Sequence, residues 1–462
     1  MNIMPNKNEK DNTISKCCER FIKRFKVNKL LRRVNATKEK GIPAYEVFAC
    51  LLGLVFSGKN LYSLLATAKG KISFGKDTVY RFLSKASVNW NQFLFSLSCS
   101  VAEEVNKLTS DERRSVLIID DTPYYRNRSK KVELLSRLYD HSKDRYYKGF
   151  AFLTMGWSDG QTFLPIDFRV TANADEQKLI KGSAVKEDKR TLATKRRKDA
   201  RTGKPALVLD MLSSVKGTSA QTKYVLFDSW FCTPSLILDI DKLGYHVAAR
   251  MKNHKNFLYK FKDELLPISK IYAKNKKRRG KSRYLLSVTV EVRHKEYENS
   301  IPAKIVYVRD RKDRKKWIAL ISTDTALSED EIIALYGKRW DIEPFHKVIK
   351  SCLHLEKEFQ VRSYDAVVAH AAIVLSRYLF LSLENRENKD LRSINEGFLR
   401  LCDELEDISF SYAFELLLSL FNQFCQDCMR LTKEQINAFV EHFMSRLPDY
   451  IKDRLALPVC ES

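Results

Sequence analysis

One stretch of this 462-residue chain, YGKRWDIEPFHKVIK, carries four polar side chains that could do chemistry: Tyr336, Arg339, Glu343 and Lys350. The capping pattern Ser328 to Glu331, with the apolar spacing on either side, predicts a helix. At about 100° per residue the four side chains then share roughly 60° of arc. One face would hold a phenol, a guanidinium, a carboxylate and an ammonium, while Ile342, Phe345, Ile349 and Cys352 form the side to bury. Two readings stand. The face is either solvated and laced with helix ion pairs such as Arg339 with Glu343, or functional, which the spacing of the four has to decide.

Further carboxylates lie upstream at the ends of apolar runs. SVLIIDDT, from Ser115, has the form of a buried strand delivering Asp120 and Asp121, and KYVLFDS, Lys223 to Ser229, does the same for Asp228. Phosphoryl transfer needs charge neutralised on both the attacking and the leaving oxygen, a task for paired divalent ions. Mg²⁺ takes hard oxygen ligands and keeps several waters, so two or three carboxylates suffice and histidine is not required. Each aspartate alone also reads as a cap or turn residue. Asp120 and Asp121 alternate faces on a strand, so only one of them can serve. Asp144, Asp159 and Asp167 fall in turn or hairpin contexts, and His346 and His354 read as packing or surface residues.

The order Tyr, two residues, Arg, three residues, Glu, six residues, Lys, set in RW..E.FHK, resembles the Y-R-E-K signature of DDE transposases of the insertion-sequence-four family. The likeness is strong at Asp120-Asp121-Thr122, at Asp228 and at Tyr336 to Lys350, looser between them, and spans residues 110–385. It implies an α/β ribonuclease-H-like catalytic core in which Asp120, Asp228 and Glu343 are catalytic metal ligands. The family's D-x-T pattern selects Asp120, with Asp121 as the alternative. The resemblance also implies that Tyr336, Arg339 and Lys350 hold DNA phosphates and that Trp317, in KKWIALIST, stacks on a flipped base; the other reading of Trp317 is a core residue on a strand. The implied cofactor is a pair of Mg²⁺ ions, with Mn²⁺ as a substitute. The implied activity is cut-and-paste transposition: terminal inverted repeats are bound, the DNA is cut through a hairpin intermediate and joined to target, and the enzyme acts as a DNA-bound homodimer. A catalytically silent DNA-binding regulator and a ribonuclease-H-like nuclease are the rival readings. One departure is Pro344, directly after the glutamate. Either the helix kinks there, turning Lys350 away, or Glu343 sits where two helical segments meet.

Composition bounds the partners. The formal charge of +25 is large for 462 residues and points to nucleic acid. With 44% hydrophobic and 30% charged residues the chain reads as globular. Ten scattered cysteines read as reduced thiols, the pair Cys425 and Cys428 having no second pair to complete a zinc site. The longest apolar run, Val47 to Phe56, is too short to span a bilayer, so the expectation is a cytoplasmic bacterial protein acting on double-stranded DNA, with no membrane partner.

The elements that must position these residues divide the chain into five parts. Residues 1–108 read as a helical DNA-binding domain, with a basic amphipathic helix at Ser15 to Arg33 and helices at Pro43 to Phe56, Asn60 to Ala68, Lys76 to Ala86 and Val88 to Leu108. KDTVYRFLSKA could be the second helix of a helix-turn-helix, with Tyr80, Arg81 and Lys85 facing a groove; helix pairs with a glycine in the turn also occur in domains that never touch DNA. Residues 109–250 read as the first part of the core, with a hairpin at Gly149 to Thr171 and a long basic connection at 172–204 ordered by phosphate more than by a core. A β-rich insertion at 251–325, the glutamate helix within 326–385 and a helical region at 386–462 complete the chain.

Overall fold

Strands of three to fourteen residues, most with a buried apolar stretch, form one eleven-stranded mixed sheet. The computed structural model describes residues 13–447 apart from 39, 68–71, 111–112, 184–187, 189, 279–281, 311–312, 314, 388–393 and, between 395 and 430, all but 396, 398, 402, 414, 417–423 and 425.

Strand β1 (Val116–Tyr125) lies between β3 (Arg145–Ser158), antiparallel, and β5 (Tyr224–Phe227), parallel. Being paired on both edges, its residues Val116 to Ile119 are wholly buried, as a continuous apolar run requires. The two aspartates do not end this strand. β3 accompanies β1 as far as Tyr125, whereas β5 stops at Phe227, level with Ile119. Asp120 and Asp121 therefore sit at a step where the sheet loses a strand on one side.

β4 (Phe163–Thr171) pairs with β3 across the turn at Gly160, forming the hairpin that the alternation predicts. β3 begins earlier than expected and pairs first with β2 (Ser136–Asp140), a strand that the sequence reading missed. Gly149 marks the passage from β2 to β4 along β3; a Cβ there would lie 2.1 Å from the Tyr124 carbonyl oxygen. Beyond β5 comes parallel β6 (His246–Arg250). The β-rich segment then extends the same sheet instead of forming one of its own: β11 (Trp317–Ser322) pairs with β6, followed in order by β10 (Ile301–Arg309), β9 (Leu286–Val292), β7 (Tyr259–Phe261) and β8 (Glu264–Leu266). Helix α10 (Ile268–Lys274) lies within that segment.

The expected N-terminal amphipathic helix is two, α1 (Thr13–Arg24) and α2 (Val27–Arg33), broken where Lys26 takes a left-handed conformation at φ 49°. Phe21, Phe25 and Leu30 still reach the core, Phe21 against Phe380 with ring centres 5.6 Å apart. Four more helices follow close to their predicted spans: α3 (Ala44–Leu54), α4 (Leu61–Thr67), α5 (Lys76–Leu83) and α6 (Trp90–Lys107), the last capped by Asn89 accepting from the Gln92 amide. Of these, α3, α5 and α6 pack against α13 (Tyr364–Glu387), which also lies on β4. α13 is long and apolar enough to cross a bilayer, but its apolar window is wholly buried in the protein.

The basic connection at 172–204 is corrected by the structure. Within it α7 (Leu192–Ala200) docks by its charges: Arg197 pairs with Glu133 at 2.7 Å and with Asp365 at 2.8 Å, and Arg196 also binds Asp365. Internal carboxylates, not external phosphate, neutralise these arginines. Helices α8 (Lys204–Val215) and α9 (Pro234–Lys242) flank β5, and α14 (Lys433–Ser445) carries a capping box on Thr432. The eight described cysteines are free thiols; Cys428 lies outside the described residues.

Candidate active site

The step beside β1 gathers the first two carboxylates. Asp228 directly follows Phe227, the partner of Ile119, so by register it stands next to Asp120, just past the end of β5 and midway along β1. Burial, and then the charge of Asp228, push the Asp120 carboxyl up to about 7, against the pull of Arg339. One Asp120 oxygen accepts the Asp121 amide at 2.9 Å, and Asp228 accepts the Trp230 amide at 2.9 Å, which closes the turn after β5. Asp121 faces away. Its carboxylate pairs at 2.8 Å with Lys204, the first residue of α8, whose ammonium lies 4.7 Å from the exposed Trp230 ring. The strand's alternation thus separates the neighbouring aspartates: Asp120 faces Asp228 and Asp121 faces a lysine.

The glutamate stretch is not one helix. α11 (Glu329–Gly337) opens with the expected capping box on Ser328, a 3₁₀ turn spans Lys338–Asp341, and α12 (Ile342–Ser351) follows. Glu343 is therefore at the start of a new helix, at the meeting of two segments. Pro344 falls in the first turn of α12, where amides have no intrahelical acceptor to lose. Ile342, Phe345, Ile349 and Cys352 are buried as the pattern requires. On the other side Arg339 spans two carboxylates, at 2.9 Å from Glu343 and 3.4 Å from Asp120. Its guanidinium lies 5.9 Å from the Tyr336 ring and 4.9 Å from that of Trp340. Tyr336 is buried, and its hydroxyl is raised by burial within electrostatic reach of Arg339, Arg250 and Asp228. Lys350 still reaches β1, donating to Thr122 Oγ1 at 2.7 Å and to the Pro123 carbonyl at 2.6 Å.

Five of the sequence-derived positions thus gather along β1 at the step: Asp228 and Arg339 against Asp120, Glu343 and Tyr336 through Arg339, and Lys350 at Thr122, two residues on. Two do not. Trp317 begins β11, three strands along from β1, and is packed with Tyr272 and Tyr307 at ring separations of 4.9 and 5.1 Å. Arg81 is exposed on α5, its Nε donating to the Asp77 carbonyl. Of its expected companions, Tyr80 packs on Phe359 and Lys85 binds the Thr37 carbonyl at 2.6 Å. His346 is held neutral: burial pushes its imidazole down to about 3. Asp159 accepts the amides of Gln161 and Thr162, and Asp167 pairs with Arg169, so both are structural.

Sequence reasoning missed Lys204, Trp230, Arg250 and Glu356. The last lies 3.8 Å from Lys350 and accepts the Tyr125 amide. Only Trp230 left a signal, as a large aromatic two residues after a strand-end aspartate.

The Asp120 and Asp228 pair fits a divalent cation, because two hard oxygen donors that repel one another are drawn together by a shared ion. Among the described residues no three acidic, histidine or cysteine side chains converge closely enough to form a full ion site. Glu343 stands one guanidinium away, with Arg339 as counter-ion to both sides of the gap.

Two family models match the chain. Residues 36–317 match the DDE superfamily endonuclease family, and residues 267–384 match the archaeal transposase ISC1217 family. The first span includes Asp120 and Asp228, and the second includes Glu343. No curated protein matches.

Proposed function

We propose that this chain, which belongs to the DDE superfamily of endonucleases, is a DNA transposase of an insertion sequence related to the insertion-sequence-four family. The observation that carries the reading is Arg339 joining Glu343 to an aspartate that stands beside Asp228 at the step in the sheet. The match of residues 267–384 to an archaeal transposase family supports transposition over plain nuclease action.

Asp120, Asp228 and Glu343 would hold two divalent ions, Mg²⁺ being the one that carboxylates and water suit best, with Mn²⁺ as a substitute. Bound there, such ions supply an activated water and neutralise the leaving oxygen. Arg339 and Lys350 offer charged donors, and Tyr336 a phenol, to the phosphate oxygens of the DNA. Asp121 takes no direct part, since Lys204 holds it on the other face. Domain roles follow the division at 108, 250, 325 and 385, with the N-terminal helices gripping element ends and the core ribonuclease-H-like. The finer steps in this reading are a hairpin intermediate, joining of the freed 3′-hydroxyl to target, and a DNA-bound homodimer working in the bacterial cytoplasm.

The test is incubation of the protein and Mg²⁺ with a supercoiled plasmid carrying the element's own termini and a second target plasmid. Release of the bracketed segment and its joining to the target are expected. Cutting without joining would move the reading to a nuclease, and binding without cutting would move it to a silent regulator.

A further inference from the structure

The β2–β3 hairpin, residues 136–149, carries a surface that the carboxylate chemistry does not use. Its register sets Tyr139 opposite Tyr146 and Arg137 opposite Lys148, so by strand alternation these four side chains share one face. That face is exposed, Tyr146 at 62%. The Tyr139 ring lies 5.0 Å from those of both Tyr146 and His141, and the Arg137 guanidinium lies 4.6 Å from the Tyr146 ring. Among the described residues neither Arg137, Lys143 nor Lys148 forms an ion pair. Exposed rings ordered against one another and interleaved with unneutralised cations suit nucleic acid: the cations meet phosphates and the rings meet bases.

The inner face fixes where this surface stands. Asp140 accepts the Tyr125 hydroxyl, the Ser142 hydroxyl at 2.6 Å and the Ser142 amide at 2.9 Å, which locks the hairpin tip to the end of β1. Lys143 at the tip lies 4.8 Å from the Tyr125 ring, and Lys350 lies 5.5 Å from the same ring. A basic track therefore runs from Lys350, held on Thr122 two residues along β1 from Asp120, onto the hairpin. Duplex DNA would offer this track only phosphates, since its bases are stacked on each other; unpaired nucleotides would offer ring faces as well.

We propose that the outer face of the β2–β3 hairpin binds unpaired nucleotides of the DNA strand next to the cleavage point, stacking them on Tyr139 and Tyr146. This deepens the transposase reading and rests on it.

The experiment measures binding of the full-length protein, by fluorescence anisotropy, to a labelled blunt duplex and to the same duplex with ten unpaired nucleotides on one strand. Wild type is expected to prefer the second. Y139A/Y146A should lose roughly ten-fold on the unpaired substrate, and stay within about two-fold of wild type on the blunt duplex, where only phosphates are read. Y139F/Y146F, keeping the rings, should restore the preference. The proposal is overturned if wild type shows no preference, if the double alanine variant weakens both substrates equally, or if the phenylalanine variant fails to rescue. Wild-type binding and cutting of element ends would in each of those cases leave the transposase reading intact, whereas failure to bind either DNA would overturn both.

Discussion

Asp120 and Asp121 are adjacent, identical in type and opposite in situation. Both are partly exposed, but Asp120 stands beside Asp228, and burial together with that charge raises its carboxyl to about 7, while Asp121 is paired with Lys204 at 2.8 Å. If Asp120 takes part in phosphoryl transfer as a metal ligand, its loss removes several kcal/mol of transition-state stabilisation, so Asp120→Asn should slow strand cleavage by about 10³-fold or more. Asp121→Asn acts only through Lys204 and its neighbours, and should slow cleavage by no more than about a hundred-fold. Single-turnover rates on one DNA substrate check the pair, and the reverse order of severity would reassign the two residues. The D-x-T spacing selected Asp120 in the sequence, but only the pairing partners of β1 give the physical reason. Lys204 was beyond sequence reasoning because nothing in its own surroundings, GKPA, announces an aspartate 83 residues upstream.

At the scale of elements, periodicity located the strands and helices that bury a whole face, and missed those held by charge. β1, β5 and α6 followed from apolar runs and caps. α7 did not, since its docking depends on Arg196 and Arg197 meeting Glu133 and Asp365 from distant segments. The broken glutamate helix was half legible: Pro344 signalled an interruption, and the 3₁₀ turn at Lys338–Asp341 absorbs it ahead of Glu343. Because a first-turn proline removes no helical hydrogen bond, Pro344→Ala should change stability by less than about 1 kcal/mol, as denaturant titration would measure.

A second element-scale device fixes α13. Arg377, fully buried in that helix, donates to Glu358 at 2.7 and 2.8 Å and to the Leu353 carbonyl at 3.2 Å, and neutral His370 also meets Glu358. Burial alone would raise Glu358; the Arg377 charge, the His370 hydrogen bond and the Arg377 hydrogen bonds overcome it and bring the carboxyl down to about 2. The folded state thus binds this proton less readily than the unfolded chain, so the contribution is fully present above about 4.5 and is lost as pH falls through about 2. Glu358→Gln should cost about 3 kcal/mol near neutral pH, by stranding a buried arginine. The gap to wild type should narrow between pH 4.5 and 2 in acid-unfolding curves; a constant gap would contradict the assigned pairing.

For the molecule as a whole, the charge of +25 and the gathering of the site from distant parts of the chain are the two large-scale facts. A protein that neutralises six or more phosphates should lose affinity for DNA with a log–log salt slope of about −5 or steeper, and a flat response in anisotropy titrations would remove the electrostatic part of the account. The central claim is that Asp120 on β1 and Asp228 just after β5, with Glu343 joined to Asp120 through Arg339, carry phosphoryl transfer on DNA. Its most direct test is Mg²⁺-dependent cleavage of element-end DNA by wild type, Asp228→Ala and Glu343→Ala at matched occupancy. The account predicts that both variants bind the DNA about as tightly as wild type and do not cut it; cleavage near the wild-type rate by either variant would contradict it.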